Sequence, residues 1–240
     1  MIPSEIRETM QVLPVVERFV SINGEGVNAG KMAAFIRLLG CNLGCNYCDT
    51  SWANVPDCPV DWMGVEQLCE WVCETGVAYV TLTGGEPLLH PQTAALIGAL
   101  TSGACGVRED LVVEVETNGS IALGRAIKAG DSAGNRFQVT MDYKLPYSGM
   151  NDRMDEGNFA ALRTWDTVKF VAGTEEDLAC ALRVINEHDL QARCNVYLSP
   201  VFSVMDPQRL VEFVKDNGLD RVTVQLQLHK VIWPADMKGV

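Results

Sequence analysis

Residues 32–48 read M-A-A-F-I-R-L-L-G-C-N-L-G-C-N-Y-C. An apolar run, Met32–Leu39, reaches Gly40 and passes at once into Cys41, Cys45 and Cys48. A strand that delivers three thiols on one short loop sets the frame for the rest of the chain. Further strand patterns follow at Ala78–Thr83, Leu111–Glu116, Phe137–Met141, Thr167–Val171, Asn195–Leu198 and Val222–Leu226. Helical patterns separate them near Val65–Glu74, Gln92–Leu100, Ile121–Ala129, Glu175–His188 and Pro207–Asn217. Strands alternating with helices predict parallel βαβ units in an α/β fold, closed toward a barrel or doubly wound. In both, chemistry belongs at the C-terminal ends of the strands. The cysteine loop falls at such an end.

The spacing C-x3-C-x2-C, with no fourth Cys or His directly after it, is unlike a structural zinc site, which closes a tetrahedron with four protein ligands. Three thiolates on one loop suit a [4Fe–4S] cluster with one iron left open for a small molecule. Two alternatives stand beside this reading. Cys58 or His90 can supply a distant fourth zinc ligand, or the thiols can be buried for packing alone, as is expected of Cys69, Cys73, Cys105, Cys180 and Cys194.

The net charge of −12 argues against a general nucleic-acid or membrane-surface binder, because phosphate needs Lys and Arg. Nine cysteines, an odd number, are not arranged as a secreted disulfide scaffold. The first ten residues lack the basic start and apolar core of a signal peptide. No apolar run reaches the about 20 residues that span a bilayer. The expectation is a single cytoplasmic domain over residues 1–240, with no linker and no internal repeat. Two helix starts are well marked. Thr174 is a cap before Glu175, Glu176 and Asp177, and Asp206-Pro207 pairs an N-cap with an N1 proline.

Three more segments sit at expected strand ends: Gly84-Gly85-Glu86-Pro87, Glu116-Thr117-Asn118-Gly119, and Asp142-Tyr143-Lys144 before Pro146 and Gly149. Together with C-x3-C-x2-C they resemble the radical S-adenosylmethionine (SAM) superfamily, whose fold is a partial (β/α) barrel, here in a shortened form with mostly parallel strands. Within it, Asn23-Gly24-Glu25-Gly26, Cys48-Asp49-Thr50 and Gln227-Leu228-His229-Lys230 resemble the 7-carboxy-7-deazaguanine synthases of queuosine biosynthesis. The resemblance covers nearly the whole chain.

That resemblance implies a lyase. It would convert 6-carboxy-5,6,7,8-tetrahydropterin to 7-carboxy-7-deazaguanine by hydrogen abstraction at C6, ring contraction and loss of ammonia, with SAM regenerated. Cys41, Cys45 and Cys48 would hold the cluster, whose open iron binds SAM and splits it to a 5′-deoxyadenosyl radical. Tyr47, Gly84, Gly85, Glu86, Glu116, Thr117, Lys144 and Gln225 would surround SAM, Glu86 holding its ammonium and Glu116 its ribose diol. Asn23, Glu25, Gly26, Arg37, Asp49, Thr83, Gln227 and His229 would bind the pterin, with Arg37 and His229 on its carboxylate. Thr50 would offer one oxygen to Mg²⁺. A flavodoxin or ferredoxin would be the reductant. The family tends to form homodimers, and Trp233 with its apolar neighbours can serve such an interface or close the barrel core.

Asn23 stands where the family usually has Gln, one methylene longer, and D-Y-K stands where many members have S-P-K. A glycyl-radical-enzyme activase and a non-catalytic zinc or iron–sulfur module are the rival readings.

Overall fold

The computed structural model describes residues 12–55, 57–103, 106–234 and 237–240. The N-terminal decapeptide and Cys105, about which expectations were stated, lie outside these. Nine strands form one sheet in the order β3-β1-β2-β4-β5-β6-β7-β8-β9. Their spans are β1 Val12–Ile22, β2 Met32–Leu38, β3 Asp61–Gly64, β4 Tyr79–Gly84, β5 Val112–Thr117, β6 Phe137–Tyr143, β7 Thr167–Ala172, β8 Asn195–Pro200 and β9 Val222–Val224. From β2 to β9 every neighbouring pair is parallel. β1 is antiparallel to both β2 and β3. The outer strands β3 and β9 do not pair, so the barrel is partial.

The helices are α1 Val65–Thr75, α2 Thr93–Ser102, α3 Gly124–Gly130, α4 Glu175–Glu187, α5 Leu190–Arg193, α6 Pro207–Asp216 and α7 Leu228–Ile232. Both expected caps form: the Thr174 hydroxyl accepts from Asp177 N at 3.2 Å, and Asp206 Oδ1 accepts from Gln208 N at 2.9 Å. α3 starts three residues later than its sequence pattern, in a segment where the Asn158 side chain takes Leu123 N instead. β9 stops at Val224, because Gln225 turns to bond the backbone of Gly26.

β1 and β3 were not expected from the sequence. Pro14 interrupts β1, and proline demotes a strand reading. A register shift between Val15 and Glu17 breaks its alternation as well. β3 has only four residues, none of them buried.

Alternation along the parallel strands decides where the core and the site lie. One parity is apolar and packs under the helices: Ile36, Leu38, Val80, Leu82, Val113, Val115, Val139, Met141, Val168 and Phe170 join Leu68, Leu96, Leu178 and Leu210 in one buried cluster. Each such side chain contributes about 1.5–3 kcal/mol on burial. The other parity is largely polar, and Thr81, Glu114, Thr140, Lys169 and Ser199 are buried despite it. The barrel interior is therefore a polar lumen rather than a second core. Of the cysteines expected to pack, Cys69 is buried and Cys180 and Cys194 are half-buried, but Cys73 is exposed near the end of α1. Among the described residues no helix is long and apolar enough to cross a membrane.

Candidate active site

A cavity of 460 Å³ opens at the C-terminal ends of the parallel strands. Its wall includes Cys41, Cys45, Cys48, Glu25, Arg37, Thr83 and His229.

The cysteine loop is stitched to the strand ends around it. Gly40 O accepts from Glu86 N at 2.8 Å, and Leu38 O from Gly85 N at 3.1 Å. Asn118 Nδ2 donates to Asn42 Oδ1 at 3.1 Å and to Cys41 Sγ at 3.5 Å. Asn46 donates from its backbone to Ser148 O at 3.1 Å and from its side chain to Tyr147 O at 3.0 Å. The G-G-E-P, E-T-N-G and D-Y-K segments thus each lead into an anchor of the loop. Gly84 and Gly85 are required by this closeness. A Cβ on Gly84, whose φ is +150°, would lie 2.3 Å from Leu38 O, and one on Gly85 would lie 2.1 Å from Gly40 O.

Among the described residues, no group of three or more His, Cys, Asp or Glu side chains is arranged to hold a single metal ion. A zinc ion needs its thiolates converged on one point. In a [4Fe–4S] cluster each thiolate takes its own iron, and Cys41, Cys45 and Cys48 all line this cavity. The distant zinc ligands are spent elsewhere: Cys58 is buried with its thiol on Pro59 O at 3.6 Å, and His90 Nε2 bonds Leu39 O at 2.8 Å.

Glu86 is not a cavity residue, which corrects its expected contact with an ammonium group. The side chain is fully buried. Its carboxylate accepts from Leu88 N at 2.9 Å, Thr117 Oγ1 at 2.8 Å and Asn118 N at 2.7 Å. Burial pushes its pKa up against the pull of these donors. Glu86 is the clasp between the ends of β4 and β5. Glu86→Ala leaves two buried donors and a part-buried one unpaired and is expected to cost about 3 kcal/mol. Urea denaturation checks this; a loss well under 1 kcal/mol would show that the clasp is dispensable.

Asn23, Gly26 and Gln225 are likewise absent from the cavity wall. The Asn23 side chain is 2% exposed and takes the Thr81 hydroxyl at 2.9 Å. Gln225 holds Gly26 N at 2.6 Å and Gly26 O at 3.1 Å. Asn23 and Gly26 belong to the β1–β2 turn, which Gln225 holds from the end of β9, while Asn23 Nδ2 is buried with no partner. Gly24 belongs with them: a Cβ there would meet His229 Nδ1 at 2.1 Å, so the imidazole seats directly on its backbone.

Tyr47, Asp49, Thr50, Gly84, Gly85, Glu116, Thr117, Lys144 and Gln227 all line the cavity. Lys144 sits 5.9 Å from the Tyr47 ring and 2.8 Å from Asp142 Oδ2. Asp49 pairs with Lys230 at 3.0 Å. Burial raises the Asp49 pKa, but Lys230, His229 and Arg37 outweigh it and hold the carboxyl below its ordinary range. Thr50 Oγ1 lies 3.7 Å from Cys48 Sγ. That hydroxyl is all the protein offers Mg²⁺ here beyond a carboxylate already paired with Lys230.

Arg37 is held by Glu17 of β1 at 2.6 Å. Burial lowers the His229 pKa, so at neutral pH its imidazole is largely neutral and offers one N–H rather than a standing charge. Sequence reasoning missed Glu17, Lys169 and Asn118. Each matters through a partner far along the chain, and only register brings the partners together.

The Radical SAM superfamily profile matches residues 35–169. The 7-carboxy-7-deazaguanine synthase of Clostridium acetobutylicum is 45% identical over 226 residues, covering 94% of this chain and 98% of that protein. That of Chlorobaculum tepidum is 35% identical over 231 residues, covering 95% and 97%. The crystal structure of QueE from Escherichia coli superposes with a TM-score of 0.67 at 21% identity, over 94% of this chain and 99% of that one. The AdoMet-bound structure of anSMEcpe gives 0.55 at 15% identity, over 80% and 62%; these two likenesses concern the fold. The chain belongs to the radical SAM superfamily and, within it, to the 7-carboxy-7-deazaguanine synthases.

Proposed function

We propose that this radical SAM lyase converts 6-carboxy-5,6,7,8-tetrahydropterin to 7-carboxy-7-deazaguanine with loss of ammonia. The observation that carries the reading is one cavity that joins the cysteine loop to both an acidic and a basic set of recognition groups: Glu25 with Asp49, and Arg37 with His229. A carboxylated, N–H-rich heterocycle needs both.

When bound, the cluster and SAM would supply the radical chemistry needed for hydrogen abstraction from the pterin. The chain's own residues hold the reactants. Cys41, Cys45 and Cys48 carry the cluster, and Asn118 and Asn46 keep their loop in place. Gly84 and Gly85 present bare backbone to SAM, with Tyr47 and Lys144 on one flank and Glu116 and Thr117 on the other. Arg37, aimed by Glu17, and His229 take the substrate carboxylate through charge-assisted hydrogen bonds. Glu25 accepts pterin N–H groups, beside Thr83 and Gln227. Thr50 would offer one oxygen to Mg²⁺.

His229→Ala is expected to lower kcat/KM for the pterin about 10- to 100-fold, the worth of one hydrogen bond to a charged group. Slow SAM cleavage without pterin should persist. Unchanged pterin turnover would remove His229 from the substrate site.

The deciding experiment is anaerobic turnover of the reconstituted, reduced protein with SAM, Mg²⁺ and the carboxytetrahydropterin, read by mass spectrometry. Carboxydeazaguanine at many turnovers per SAM is the expected result. SAM cleavage without product would favour an activase acting on a protein backbone.

We further infer one working domain, since a single sheet and one core cluster run through it, and a reducing cytoplasm, where a labile cluster survives. A flavodoxin or ferredoxin would feed electrons singly to the cluster. A homodimer is supported by an exposed apolar patch of Phe202, Val204, Leu226, Val231 and Ile232, next to Trp233.

A further inference from the structure

Inside the lumen four charges alternate in a row. Lys169 Nζ lies 3.0 Å from Glu25 Oε2 and 3.4 Å from Asp142 Oδ2, and Asp142 Oδ2 also takes Lys144 Nζ at 2.8 Å. Asp142 and Lys169 are cross-strand partners on β6 and β7. Their register fixes the contact, while Glu25 comes from the β1–β2 turn on the far side of the barrel. The Lys169 and Glu25 side chains are 10% and 11% exposed. A cation this buried is retained only with partners that outweigh its desolvation.

The second oxygen of each carboxylate is the telling feature. Glu25 Oε1 and Asp142 Oδ1 are both buried and have no hydrogen-bond partner, and both residues line the cavity. A buried ionised oxygen without a donor is costly. Two of them flanking one lysine describe a receptor whose donors arrive with the ligand. Neither aliphatic carbon nor a second anion can satisfy them; N–H groups can.

We propose that Lys169 is a positioning residue: it ties Glu25 to Asp142 and so presents Glu25 Oε1 and Asp142 Oδ1 as an acceptor pair for two N–H donors of a reduced heterocycle. The inference deepens the pterin reading and rests on it. A tetrahydropterin carries N–H groups on both rings, so one molecule can reach both oxygens. The other charged or titratable groups facing this row are Glu114 and Glu116 on β5, Cys45 and Tyr47 on the cysteine loop and His229 on α7. Lys144 and Lys169 outweigh burial at Asp142 and hold its carboxyl below the ordinary range. Without Lys169, burial pushes that carboxyl toward protonation as pH falls, and a protonated carboxyl loses an acceptor site.

The test is anaerobic calorimetry of the reconstituted holoenzyme, titrated separately with carboxytetrahydropterin and with SAM between pH 5.5 and about 8. Lys169→Met is expected to weaken pterin binding tenfold or more, and increasingly as pH falls, while SAM binding stays within about threefold. Lys169→Arg should restore most of the affinity and the flat profile. Asp142→Asn keeps the volume and covers the case in which Lys169→Met fails to fold; it should also lose about tenfold on the pterin. Pterin affinity and pH profile like wild type in Lys169→Met, or wild-type pterin affinity in Asp142→Asn, would overturn the proposal. Wild-type protein that binds SAM but no pterin would instead overturn the substrate reading beneath it.

Discussion

Cys45→Ala is expected to give a folded protein with no stable cluster and no SAM cleavage. The loop around Cys45 is held by backbone and asparagine hydrogen bonds from Glu86, Asn118 and Asn46, none of which uses the Cys45 thiol. Folding stability should therefore change by about 1 kcal/mol or less. The cluster has only three cysteines to hold it, and two cannot retain it. Burial raises the Cys45 thiol pKa, and Lys144 works against that, so in the apoprotein the thiol is protonated at neutral pH. Binding iron must displace that proton, and a chain lacking this thiolate gains nothing to offset the loss. Iron content, visible absorbance and thermal melting are the measurements. Wild-type iron in the variant would return the three cysteines to a structural role.

Gly85→Ala should be severely damaging. Its Cβ would meet Gly40 O at 2.1 Å and Asn54 Oδ1 at 2.5 Å. The carbonyl cannot retreat freely, because it accepts from Glu86 N at 2.8 Å. Overpacking against backbone is expected to cost about 3 kcal/mol and to pull the cysteine loop off the end of β4, with loss of SAM binding. Gly44→Ala is the matched control on the same loop. A Cβ there meets nothing within 4 Å, and its φ is not left-handed, so stability should stay within about 0.5 kcal/mol. Gly40, in contrast, has φ +88° and is the residue that turns the chain from β2 into the loop. Equal melting temperatures for the Gly85 and Gly44 variants would mean that the close approach is not needed.

Several elements were legible before any coordinates. V-V-E-V-E-T in β5 and F-Q-V-T-M-D-Y in β6 show one apolar and one polar parity, which is the pattern of a sheet covered by helices on one side and enclosing a polar lumen on the other. The Thr174 and Asp206 caps follow from local hydrogen bonding within one turn. The cysteine spacing is local too, and it points to a cluster loop, while the hydrogen bonds that occupy Cys58 and His90 were visible only in the structure.

Other features are illegible for a physical reason. β1 carries a proline and a register shift, so its period is lost. Glu86, conspicuous in its motif, turns out to be a buried clasp, because the donors that claim it, Thr117 and Asn118, sit on the next strand. Asn23 and Gln225 look like ligand-facing amides but bond to Thr81 and Gly26. Lys169 lies in T-V-K-F-V-A, where a single lysine reads as an edge or surface residue; it pairs with Glu25 across 144 positions of sequence.

The sequence by itself determined the order of the parallel strands and of the longer helices between them, and the loop that carries the thiols, since these depend on side-chain period and near-neighbour chemistry. The tertiary structure alone decided which polar side chains face the cavity and which are consumed in holding it together. That division depends on strand register and on partners brought close only when the barrel curls, and a buried polar group goes to whichever partner then satisfies it.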